Sequence, residues 1–97
     1  MARRQIERRL TEVSQRLRSL RDELRIADEQ LLHLADAADD ARLRSLVSET
    51  PVSEREHREA ARHAQAMRDH RTSVATDIAR LEATQDELLD RLSASPS

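Results

Sequence analysis

Apolar residues recur in unbroken four-three alternation through the first half of the chain: Ile6, Leu10, Val13, Leu17, Leu20, Leu24, Ala27, Leu31, Leu34, Ala38 and Ala41. This spacing lays one apolar stripe along an α-helix and demands a second helix to cover it. The second half carries a stripe of its own at Ala60, Ala64, Met67, Arg71, Val74, Ile78, Leu81, Gln85, Leu88 and Leu92. Between them, Thr50 suits a helix N-cap with Pro51 at the first helical position, where a missing N–H costs nothing. Ser53 followed by Glu56 forms a competing capping box. The chain has no glycine for a left-handed C-cap, so Ser48, Glu49 or Thr50 must make the turn. The pattern predicts one domain: a helix over 2–47, a turn at 48–52, a helix over 53–92 and a frayed tail at 93–97.

So short a turn makes the helices antiparallel neighbours. The fold class expected is therefore all-α, an antiparallel two-helix coiled-coil hairpin, with dimerisation into a four-helix bundle left open. A register centred on residue 49 matches Ile6 with Leu92, Leu10 with Leu88, Leu17 with Leu81 and Leu20 with Ile78. It also matches Leu24 with Val74, Leu31 with Met67, Leu34 with Ala64 and Ala38 with Ala60. The competing register is shifted by one heptad and needs a longer loop. Charge favours the same hairpin. Residues 1–25 hold eight arginines and four acids, and residues 76–97 hold two arginines and five acids, so antiparallel folding sets +4 beside −3. The seam thins to alanine toward the turn, and Arg71 and Gln85 interrupt it, which fixes register at a cost in stability. Folds with so little core often oligomerise.

Composition changes the picture mainly by exclusion. The 97 residues contain no aromatic, glycine or cysteine. Large core anchors, thiolate chemistry and disulfides are thereby absent, and the make-up is that of a long helix or coiled coil. All seventeen basic residues are arginine, a bias that GC-rich codon usage produces without selection for guanidinium chemistry. A net charge of −2 and the lack of stacking aromatics make a nucleic-acid binder the least favoured reading. No apolar run follows the N-terminal charges and no stretch is long enough to span a membrane, so a cytoplasmic protein is expected.

Candidate chemistry is sparse. His33, His57, His63 and His70 lack the three- or four-residue spacing of a helical metal pair. Asp36, Asp39 and Asp40 read as a hydrated face. No glycine-rich elbow organises a nucleophile, and a two-helix hairpin offers no closed pocket. The expectation is no catalytic residue, no metal and no cofactor. Arg3, Arg4, Arg8, Arg9, Arg16 and Arg18 are expected to be neutralised by the acidic end of the second helix.

The informative residues are the apolar ones off the seam: Leu32, Leu43, Leu46, Val47 and Val52. In one reading the first helix bends or stutters and these residues cover the alanine-rich tip. In the other they form a partner-binding or dimerising surface. The second reading makes Leu43, Leu46, Val47, Glu49, Val52 and Glu54 the candidate site.

Ser53, Glu54, Ala60, Ala61 and Gln65 also fall in a pattern that resembles the Gre transcript-cleavage factors, at the start of the second helix of their N-terminal hairpin. The resemblance implies a regulator inserted into the secondary channel of RNA polymerase. The family's tip aspartate falls on Pro51, its asparagine on Arg55 and its tyrosine on Arg58, and only Glu54 remains of the acidic pair. Cleavage activity is therefore not expected. The function expected is a non-catalytic protein-interaction module, with RNA polymerase one partner and homodimer formation the alternative.

Overall fold

The computed structural model describes residues 2–95, which form two α-helices, α1 (Arg3–Ser48) and α2 (Pro51–Ala94), joined by Glu49 and Thr50. The fold is an all-α helical hairpin. Ala2 caps α1: Gln5 and Ile6 donate backbone N–H groups to its carbonyl, and its own N–H donates to Gln5 Oε1 at 3.2 Å. The turn holds two residues, where 48–52 was expected, because both helices run to its edge. α2 likewise continues past Leu92 to Ala94, and Ser95 donates its N–H back to Leu92. The remainder of the expected tail, Pro96 and Ser97, lies outside the described residues.

The turn is built from two local devices. Glu49 takes a left-handed backbone, with φ 50°, and donates its N–H to the Ser45 carbonyl at 3.0 Å. That single bond closes the last turn of α1 in the αL capping geometry. Thr50 then caps α2. Ser53 donates its N–H to Thr50 Oγ1 at 3.1 Å, and Thr50 donates its N–H to Ser53 Oγ at 3.2 Å. The capping box is thus Thr50 with Ser53, not Ser53 with Glu56, and Ser53 is buried. A side chain at φ 50° costs about 1 kcal/mol that glycine does not incur. Glu49→Gly should raise stability by about 0.5–1 kcal/mol, read from the urea midpoint by circular dichroism. An unchanged or lower midpoint would contradict this account of the turn.

The residues divide into two compact units. One comprises Met1–Leu24 and Val74–Ser97. Its core is the predicted seam: Ile6, Val13, Leu17 and Leu20 of α1 are buried with Val74, Ile78 and Leu88 of α2. Leu10, Leu24, Leu81 and Leu92 pack against them. Gln85, the polar residue on this part of the seam, donates Nε2–H to Ser14 Oγ at 3.3 Å. Arg21 reaches Glu82 at 3.8 Å on the rim.

The other unit, Arg25–Ser73, is thinner. Ala27, Ala41 and Ala64 are buried, whereas Leu31, Leu34 and Met67 are half-buried. Alanine layers remove little area from water. Arg71 occupies a seam position and pairs with Asp28 through its Nε. His57 continues the seam toward the turn, and its Nδ1 is buried without a hydrogen-bond partner among the described residues.

These contacts identify the register. Ser14 adjoins Val13, and Asp28 adjoins Ala27, the residues set opposite Gln85 and Arg71 when the hairpin is centred on residue 49. The one-heptad alternative would instead place Gln85 against Leu20 and Arg71 against Leu34.

Candidate functional site

The turn-proximal part of α1 presents two different faces. Its seam continues without a stutter through Ala38, Ala41 and Ser45, all at least half-buried. Leu32, Leu43, Leu46 and Val47 lie on the opposite side and are 69%, 61%, 63% and 85% exposed. The reading in which α1 bends so that these residues cover the tip is therefore corrected. Regular helix geometry keeps them turned away from the seam, and solvent is their neighbour.

The exposed residues obey a spacing of their own. Leu32, Asp36, Asp39, Leu43 and Leu46 follow one another by four and three residues, which makes a second stripe on one helix. Within it, Asp39, Arg42, Leu43 and Leu46 line an open depression. Those four are spaced i, i+3, i+4 and i+7, the set that forms the hole for a side chain of a facing helix. Asp36, Asp39 and Asp40 are exposed on the same part of α1 and make no ion pair or hydrogen bond with any described residue. The depression is thus walled by two leucines, one aspartate and one arginine. Asp39 and Arg42 were not among the sequence candidates. The second four-three stripe is the signal that could have found Asp39, whereas Arg42 lies beside that stripe and not on it.

The remaining candidates sit at the turn. Glu49 is its left-handed residue and is exposed. Val52, 63% exposed, and Glu54 belong to the first turn of α2, where Glu54 donates its backbone N–H to the Thr50 carbonyl at 3.0 Å. Glu49 and Glu54 owe their positions to backbone capping, so Leu43, Leu46 and Val47 are the candidates that share a helix face.

Elsewhere, some charges are matched within one helix, while Arg4, Arg8, Arg16 and Arg18 make no ion pair with any described residue. Arg9 pairs with Glu12 at 3.4 Å, and Arg80 lies 3.9 Å from Asp77, beside an open groove that Arg16 and Leu81 also line. Arg3 pairs with Glu7 at 3.1 Å. The expected neutralisation of the N-terminal arginines by α2 is thus carried for Arg3 and Arg9 by acids of α1 itself. Such exposed pairs contribute a few tenths of a kcal/mol each. Among the described residues, no group of three or more His, Cys, Asp or Glu side chains is arranged to hold a metal ion. No helix among them is long and apolar enough to cross a membrane. Comparison with protein-family models, with curated proteins and with solved structures gives no match for this chain.

Proposed function

We propose that this chain is a cytoplasmic, non-catalytic protein-interaction module that docks onto a larger protein through the outward face of α1 next to the turn. The observation that carries the reading is the exposure of Leu32, Leu43, Leu46 and Val47 on one helix whose seam is already covered. Leaving large apolar side chains in water confers nothing on the isolated hairpin, and a clustered set marks a contact surface. A partner that covers them gains roughly 25 cal/mol for each Å² of apolar area removed from water.

Replacing Leu43, Leu46 and Val47 together with aspartate should abolish retention of the partner captured by the wild-type chain. The far-UV circular dichroism should stay helical, because none of the three supports the seam. Retention of the same partner by the triple variant would sink the reading. The resemblance across Ser53 to Gln65 makes RNA polymerase the first complex to look for. Crosslinked capture that returns no polymerase subunit removes that choice without touching the rest.

A further inference from the structure

Two sets of charges on α1 have no ion pair or hydrogen bond among the described residues. Arg4, Arg8 and Arg18 lie near its start, and Asp36 and Asp39 lie nearer the turn. They share one stripe. Followed back from Leu32, the four-three spacing of Leu46, Leu43, Asp39 and Asp36 continues through Glu29, Arg25 and Asp22. It then passes Arg18, Gln15 and Thr11 to reach Arg8 and Arg4. The stripe lies opposite the seam, and every residue on it is exposed. Its first half is net basic, and its second half is net acidic and holds the leucines.

We infer that a second copy of this chain covers this face, its α1 antiparallel to the first in a register centred between residues 23 and 24. The inference goes beyond the docking reading above and does not depend on it. Charge complementarity carries it. Antiparallel helices joined along such stripes set a positions against d positions, and a twofold axis repeats every pair. In this register Arg8 faces Asp39, Arg18 faces Glu29 and Asp22 faces Arg25. No like charges face each other on the stripe. The flanks agree, with Arg42 toward Glu7 and Arg21 toward Asp28. Arg42 therefore belongs to the match as much as Asp39 does. Leu43 meets the stem of Arg4, and Leu32 meets Gln15, whose methylenes cover leucine while the polar heads stay in water. Every contact joins the first unit of one copy to the second unit of the other.

Other registers of the same stripe match less well. A centre between residues 37 and 38 sets Leu32 on Leu43, the most apolar choice. It also sets Asp36 against Asp39 twice and leaves Arg4, Arg8 and Arg18 uncovered. Centring on residue 27 keeps only Arg18 with Asp36 and Arg25 with Glu29, and centring on residue 20 leaves Leu43 and Leu46 bare. A larger protein that docks on Leu43 and Leu46 must displace the second copy, so self-association and docking compete.

Sedimentation equilibrium of the full chain tests the inference. A monomer–dimer equilibrium is expected at about 20 mM salt, weakened at least about tenfold at about 500 mM. Two charge-reversed variants decide the register: Arg8→Asp with Arg18→Asp, and Glu29→Arg with Asp39→Arg. Each alone sets like charges face to face and should be monomeric. Mixed, they restore every opposite pair and should form a heterodimer. Far-UV circular dichroism should stay helical for both, since none of the four residues is on the seam. A wild-type chain that is monomeric at about 1 mM and low salt overturns the inference. Dimers that survive charge reversal, or that strengthen with salt, also overturn it, because leucine pairing would then hold them. Variants that stay monomeric when mixed overturn the register and with it the inference.

Discussion

Leu17→Ala should lower the stability of the hairpin by about 3 kcal/mol, whereas Leu34→Ala should cost about half as much. Leu17 is 0% exposed and belongs to the cluster of Ile6, Val13, Leu20, Val74, Ile78 and Leu88. Truncating it loses the transfer free energy of the removed carbons and leaves a cavity that leucine and valine neighbours only partly fill. Two helices can close on a gap more readily than a layered core can, which places the cost toward the lower end of the usual leucine-to-alanine range. Leu34 is half-buried, and its unit buries Ala27, Ala41 and Ala64 where the other buries leucine and isoleucine. Less area is lost there and solvent already reaches the site.

Urea unfolding followed by circular dichroism decides the matter, with no tryptophan available as a local probe. Small folds hold only about 5–15 kcal/mol in total, so the Leu17 variant should melt well below the wild type. A Leu34 cost equal to that of Leu17 would mean that the apolar support of the fold is evenly spread, contrary to the burial pattern.

The seam was legible residue by residue. Ile6 through Ala41, and Ala60 through Leu92, are all at least half-buried, because a four-three repeat leaves a helix pair only one face to bury. The register was narrowed to two values by the same pattern. It was decided by Ser14 and Asp28, seam-flanking polar residues whose partners hydropathy cannot name. The turn was harder to read. Two caps competed on similar chemistry, and the chain chose Thr50 with Ser53 because Glu49 could adopt the left-handed backbone that let α1 run on to Ser48. At the candidate site, Leu43, Leu46 and Val47 stood out simply by leaving the seam. Asp39 and Arg42 did not, since a charged residue on the outer face of a helix looks like any solvated one. Only their spacing relative to Leu43 and Leu46 gives them a role.

Replacing both polar seam residues, Arg71→Leu with Gln85→Leu, should raise stability by about 2 kcal/mol while leaving the register unchanged. Arg71 and Asp28 have side chains 42% and 47% exposed, so their ion pair is screened by water and contributes little. Leucine at either position extends the apolar stripe, and Asp28 left alone remains solvated. The gain per site falls short of full leucine burial because the seam is only half-closed there. Polar seam residues commonly hold register, and two apolar layers in their place lower the penalty for sliding by one heptad. The turn opposes that slip: moving one heptad would draw Ser53 and His57 out of the seam and dissolve the Thr50–Ser53 capping box. Cysteines placed at Arg18 and Ala79 for spin labels report the outcome in a chain that has no cysteine of its own. A one-heptad slip displaces the labels by about 10 Å along the helices. A single unshifted distance with a raised urea midpoint is the expected result. A second distance population would assign the register to Arg71 and Gln85 themselves. A lowered midpoint would show that their contacts stabilise the hairpin more than apolar layers would.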